Sequence, residues 1–496
     1  MKIITKSVLA LAISVGMIAP TFAAQNVLST KLLSSYTEDC VDESCAEISA
    51  YDAQSSRVFT TNSEENQLRI LEIDNNDQLV EVDFVDLSSF GGGPNSVAVS
   101  NGVVAVAMEA NIKQDNGTVE IFDTDGSHLY TVDAGALPDM VTFTPDGQYL
   151  LVANEGEPND DYTVDPEGTV TIINTSSWLP ETANFHAFDN TEIKDVRVFG
   201  PGASVSQDLE PEYIAVSADS TTAWISLQEN NAMAKLDIAS ATITDIYGLG
   251  YKRHDQQRNG FDAGNKDGGI NIQTRPTLGM YQPDSIASFQ RGNATFILSA
   301  NEGDARDYDG YSEEVRVKNL TLDPEKFPNA EELQKEENLG RLKTTTANGD
   351  TDGDGDHDEI YSYGARSFSI WNANGKQVFD SGSQFEDFLS QYEDRGVDVW
   401  VDKRSDDKGP EPESITVGEL AGETYAFIGL ERTSGLFIYN ISSPSRPKVA
   451  GFINLKEAGD VGPEGLMFIP RDANTGWLLI TNEISNTTSL YEVSVD

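Results

Sequence analysis

Pro138-Asp-Met-Val-Thr-Phe-Thr-Pro-Asp-Gly-Gln-Tyr-Leu-Leu-Val-Ala-Asn-Glu155 decides the fold. Met140 to Thr144 reads as a short strand, Pro145-Asp146-Gly147 turns it, and Tyr149 to Ala153 returns. Thr169 to Ile173 supplies a third β-rich run. The opening of this hairpin recurs along the chain. Pro94-Asn95, Pro138-Asp139, Pro211-Glu212, Pro283-Asp284, Pro412-Glu413 and Pro463-Glu464 each introduce an apolar strand, and Ala46-Glu47-Ile48 is a degenerate seventh copy. A second strand then runs to a Glu at Glu109, Glu155, Glu302, Glu431 and Glu483, with Gln228-Glu229 and Ser63-Glu64 as looser equivalents.

Three intervals between these openings are roughly fifty residues and two are roughly seventy, the spacing of four-stranded blades with and without added loops. Seven copies predict an all-β chain folded as a seven-bladed β-propeller. The long interval from Pro283 to Pro412 predicts a loop and helical insertion in the fifth blade, over about residues 319–403. Helical patterns around Asn329 to Leu339 and Gln384 to Tyr392 fall inside it. Strand character from Val27 to Tyr36 is expected to complete the last blade and close the ring.

Residues 1–23 read as a signal peptide: Lys2 and Lys6, an apolar run from Ser7 to Ile18, then Thr21-Phe22-Ala23. Residues 24–496 then form a single propeller domain. No membrane span, sorting tail or anchor is visible after it, which predicts a periplasmic or secreted monomer. The formal charge of −49 disfavours nucleic acid and anionic membranes as partners, and compaction of such a chain calls for bound cations or a salty medium. The only cysteines, Cys40 and Cys45, are expected to form a small-loop disulfide in an oxidising compartment; a metal pair is the rival reading.

In a propeller the first strand of each blade lines the channel and the second runs back antiparallel. An acid at the start of the first and an acid at the end of the second therefore meet at one mouth. The expected metal ligands are Glu47, Asp139, Glu155, Glu212, Asp284, Glu302, Asp304, Glu413, Glu431, Glu464 and Glu483. Like charges packed so closely require protons or a cation. The alternative is that Pro-Asp and Pro-Glu are turn residues and the glutamates solvated loop acids.

Asn348, Asp350, Asp352, Gly353 and Glu359 fit a calcium loop over 348–359, with Asp354 and Asp356 in the same run; a second register begins at Asp350, turns at Gly355 and loses the final Glu. An acidic linker is the alternative. Arg306, Lys408 and Arg432 lie among the carboxylates and suit a bound anion such as a phosphate ester, although cations there also serve as charge balance. Walker loops, HExxH and a nucleophile elbow are missing from the sequence.

Asn301-Glu-Gly-Asp-Ala-Arg-Asp-Tyr-Asp-Gly, Gly349-Asp-Thr-Asp-Gly-Asp-Gly-Asp with Gly364-Ala-Arg-Ser-Phe-Ser-Ile, Ser405-Asp-Asp-Lys-Gly-Pro-Glu-Pro-Glu, Gly462-Pro-Glu-Gly-Leu and Asn482-Glu resemble the choice-of-anchor I proteins. The resemblance covers nearly the whole chain after residue 23. It departs at Ser414, where Gly is common after the Glu. It implies a secreted or surface seven-bladed propeller. Some relatives carry an alkaline phosphatase label, and the strand openings are similar to those of propeller phytases and phosphatases, which use calcium or other metals at a channel mouth. The expectation is a metal-dependent phosphoesterase acting on a small phosphorylated substrate, with Ca2+ and a second divalent or transition metal. The alternative is a non-catalytic, calcium-stabilised propeller that binds protein or glycan.

Overall fold

A computed structural model describes residues 28–40 and 44–495; the proposed signal peptide lies outside the described residues. Among the described residues, seven antiparallel four-stranded sheets follow one another. Their innermost strands are Ser49–Asp52, Pro94–Ser100, Pro138–Phe143, Pro211–Val216, Ile286–Arg291, Pro412–Leu420 and Pro463–Pro470. Each packs against the innermost strand of the next sheet, and the last returns to the first, so the ring closes. The second strands Arg57–Asn62, Val103–Met108, Tyr149–Asn154 and Thr222–Leu227 are buried at every residue after the first. This explains why they read as nearly continuous apolar runs rather than as an alternation. Outer strands such as Leu79–Asp86 and Leu179–Ala183 are mostly exposed and carry the acids.

Closure is completed across the chain ends. Leu28–Thr37 pairs antiparallel with Thr487–Val495 as the outer strand of the seventh sheet, as its strand character predicts. The disulfide Cys40–Cys45 lies directly beyond it. Among the described residues no helix is long and apolar enough to cross a membrane.

The long interval divides differently from the expectation of one insertion over 319–403. Ser367–Asn372 and Gln377–Asp380, inside that range, are the outer two strands of the fifth sheet. The insertion within the sheet is 302–366, and a second excursion, 381–411, joins the fifth sheet to the sixth. Sequence reasoning missed this because a β-rich run after an Asp-Gly segment has no signal assigning it to a sheet left far upstream. The insertion gathers a small core of Val317, Leu339, Leu342 and Ile360 together with Phe261 from the connection between the fourth and fifth sheets. The helix Gln384–Glu393 buries Phe385 and Leu389 against Phe368, Phe437 and Tyr439, between the fifth and sixth sheets.

Candidate metal centre at the channel mouth

The repeated dipeptides have a local cause. Proline lacks an N–H, so it sits comfortably at the first position of a strand. Pro138 faces Asn154, Pro211 faces Leu227, Pro412 faces Leu430 and Pro463 faces Asn482, each the last residue of its second strand. The register shifts immediately after each of these prolines. A bulge at that point re-aims the next side chain, which is the acid. At the other strand, Asn154 donates to Thr169 and Thr171, Asn301 to Ser369, and Asn482 to Thr487. These buried amides fasten the strand end to its third-strand neighbour, so the following Glu emerges at a fixed place. That is the physical content of the Asn-Glu dipeptide.

The two sets of acids meet as expected. Glu47, Asp139, Asp284 and Glu464 line a channel cavity of about 410 Å³ together with Asn95 and Tyr213. Burial raises the Asp139 carboxyl to about 7, with Glu464 repelling it further. Burial raises Glu47 to about 8. Glu212, Asp284, Glu413 and Glu155 are pushed well above the usual carboxylate range by burial and by each other, and Glu464 is raised by burial. Ser44 Oγ donates to Glu483 at 2.8 Å, and Ser63 Oγ to Glu47 at 2.9 Å. The disulfide loop thus rests on the rim of the mouth.

Only part of the ligand pool converges. Glu302, Glu413 and Glu431 each offer one carboxylate oxygen, and these oxygens lie within 4.8 Å of one another. Burial lifts Glu302 to about 8 and Glu431 to about 7. Glu413 Oε2 is buried without a hydrogen-bond partner. Three oxygen donors of one charge fit a hard divalent cation such as Ca2+ or Mg2+ better than a thiophilic metal. Glu302 owes its position to a backbone crossing. A Cβ on Gly364, whose φ is +67°, would fall 1.9 Å from the Glu302 carbonyl oxygen. Gly364→Ala is therefore expected to displace Glu302 and weaken calcium binding at least tenfold, a loss of about 1.4 kcal/mol, read by titration calorimetry.

Asp304 is half exposed and 3.5 Å from Lys408 Nζ, outside the triad. Lys408 Nζ also reaches Glu302 at 2.6 Å, and Arg432 reaches Glu431 at 2.5 Å. Both cations border the triad. Arg306 does not. Its guanidinium is buried, paired with Asp208 at 2.5 Å and Glu210 at 2.8 Å, and its Nη2 also donates to the Asp208 carbonyl at 2.7 Å. All three nitrogens of this buried guanidinium face Asp208 or Glu210, an arrangement of structural ion pairs away from the triad rather than an open site for an anion. Nothing in the sequence pointed to Asp208 and Glu210 as its partners.

In the acidic loop the two ends of the first register are held by other residues. Asn348 Oδ1 accepts from Arg197 Nε at 2.8 Å, and Glu359 accepts from the Tyr361 hydroxyl at 2.5 Å, so the first and last positions of the 348–359 reading are engaged elsewhere. The oxygens that gather are those of Asp350, Asp352 and Asp358, and separately Asp323, Asp356 and Asp358. Asp354 repels Asp352 and raises its carboxyl. Neither Asp358 nor Asp323 was among the expected ligands: Asp358 lies at the end of the Asp-Gly run, and Asp323 comes from a distant turn.

The choice-of-anchor I domain profile matches residues 47–444. Gigasin-3a of Magallana gigas is 34% identical over 122 residues, 22% of this chain and 43% of that protein. The mesenchyme-specific cell surface glycoprotein of Strongylocentrotus purpuratus is 25% identical over 374 residues, 64% of this chain and 46% of that protein. The chain spans less than half the length of these curated relatives. A chain of Kuenenia stuttgartiensis hydrazine synthase superposes with a TM-score of 0.51 at 11% identity, over 92% of this chain and 98% of its own, a likeness of fold alone. The profile covers most of the ring of four-stranded sheets and every one of the mouth acids except Glu464 and Glu483, and the chain belongs to the choice-of-anchor I domain family.

Proposed function

We propose that this chain is an extracytoplasmic, metal-dependent phosphoesterase, monomeric, with divalent cations at the propeller mouth. One observation carries the reading: three carboxylates with mutually close oxygens, one of them buried and unpartnered, bordered by Lys408 and Arg432. Glu302, Glu413 and Glu431 would hold the cation, with Glu464, Asp284 and Asp139 adding negative potential. A bound divalent ion supplies Lewis-acid polarisation of a phosphoryl oxygen and a more acidic water. Lys408 and Arg432 are placed to orient the ester's remaining oxygens by charge-assisted hydrogen bonds. The disulfide supports an oxidising compartment.

The test is p-nitrophenyl phosphate turnover by purified protein, before and after chelation and refill with calcium, magnesium or manganese. Metal-dependent turnover that falls at least tenfold in Lys408→Ala supports the reading. Metal binding without turnover on any phosphomonoester or diester supports the second reading, a calcium-stabilised propeller that binds protein or glycan. One observation favours that second reading: Lys408 already rests on Glu302, so its charge balances the mouth without any substrate.

A second, structural calcium at Asp350, Asp352 and Asp358 belongs to the same proposal. Binding to the native state alone stabilises it by about 2.7 kcal/mol at a hundredfold excess over Kd. Asp358→Asn is expected to abolish the part of the calcium-induced rise in Tm that Glu413→Gln leaves, measured by scanning calorimetry. An unchanged rise would remove the loop from the account.

A further inference from the structure

We propose that Glu411 is a positioning residue that gathers three cations beside the metal triad and draws part of their charge away from it; the proposal rests on the metal-centre reading above. Glu411 is fully buried. Its Oε1 accepts from Arg404 Nε at 2.6 Å, and its Oε2 lies 3.2 Å from Arg432 Nε and 3.9 Å from Lys408 Nζ. One carboxylate therefore gathers Arg404, Lys408 and Arg432. Two of those cations reach past it to the triad, Lys408 to Glu302 and Arg432 to Glu431.

The backbone is built around the same residue. Glu411 has a φ of +53°, a conformation in which a non-glycine residue persists only when its surroundings fix it. Its carbonyl accepts from the Glu431 N–H at 2.9 Å, and Pro412-Glu413 follow directly. Glu411 thus stands at the end of the antiparallel strand pair beside which two of the three ligand residues lie. The loop that supplies Arg404 and Lys408 is held independently: Arg366 donates to the carbonyls of Ser405 at 2.8 Å and Asp407 at 2.6 Å.

This arrangement has an electrostatic consequence. Lys408 and Arg432 divide their charge between Glu411 and the triad. Neutralising Glu411 throws their charge onto Glu302 and Glu431, which opposes a divalent cation and favours an anion. Neutralising Arg404, which touches Glu411 and Asp407 but no triad residue, does the reverse. A packing role would move both affinities the same way.

The experiment measures calcium affinity, restricted to the fraction of binding that Glu413→Gln abolishes, and the affinity for inorganic phosphate. Glu411→Gln is expected to weaken calcium roughly tenfold, the effect of one charge at a few ångströms in a partly buried site, and to tighten phosphate. Arg404→Met is expected to tighten calcium and weaken phosphate. Unchanged affinities in both variants, or calcium and phosphate weakening together, overturn the proposal while leaving the metal centre standing. A parent protein with no Glu413-dependent calcium binding overturns both.

Discussion

Arg306→Ala is expected to cost about 3–5 kcal/mol of stability, because removing one partner of a buried ion pair leaves the other charge stranded. Here two are stranded. Asp208 and Glu210 are both fully buried, and both face the Arg306 guanidinium. The same guanidinium lies 4.5 Å from the Phe199 ring centroid, with Arg197 at 4.2 Å from that ring. Arg197 in turn pairs with buried Glu313. This network ties the insertion, through Arg306 and Glu313, to the loop before the fourth sheet, through Arg197 and Asp208. Chemical denaturation should show the midpoint falling sharply in Arg306→Ala, and less in Arg306→Ala combined with Asp208→Asn and Glu210→Gln. A loss below about 1 kcal/mol, the ordinary effect of a surface pair, would contradict the assignment of Arg306 to structure.

The chelated protein is expected to lose stability as pH rises from the ordinary carboxylate range towards 8. Burial holds Glu302 and Glu47 up at about 8, and Asp139, Glu431 and Glu229 at about 7, against about 4 in an unfolded chain. The folded state then binds more protons than the unfolded state between those limits. Stability is fully present below the unfolded value and is lost as pH passes the folded values. Saturating calcium should flatten the triad's share of this slope, because the cation holds the triad deprotonated and the folded and unfolded states then differ little in the protons bound there. Melting temperatures across pH 5 to 9 with chelator and with calcium measure both arms. A chelated protein that becomes steadily more stable across that range would show that the mouth acids are ionised and solvated.

The ring of sheets was legible because its cause is repeated. A proline that opens a strand, a bulge that turns the next acid inward and an asparagine that fastens the return strand leave the same trace in several blades. The acid rings followed from that trace and from antiparallel geometry alone. The choice of Glu302, Glu413 and Glu431 out of eleven expected ligands did not, since it depends on which neighbouring blades approach most closely. Adjacent Asp304 and Asp307 make Arg306 read as a mouth residue, while its ion-pair partners come from a segment nearly a hundred residues earlier. Glu411 stood in plain view within Gly-Pro-Glu-Pro-Glu, yet its proposed role lies in a left-handed backbone and in Arg432 of another strand end joining Arg404 and Lys408 of its own loop. The acidic run brings Asp350, Asp352 and Asp358 together rather than Asn348 and Glu359, because the Arg197 that claims Asn348 is remote in sequence.

The most direct test of the metal centre is an anomalous-scattering map from crystals soaked in manganese, a divalent oxygen-seeking ion. The account predicts a peak at the mouth within coordinating distance of Glu302, Glu413 and Glu431, absent from Glu413→Gln crystals soaked identically. A map with no peak among those three carboxylates at saturating manganese would contradict it.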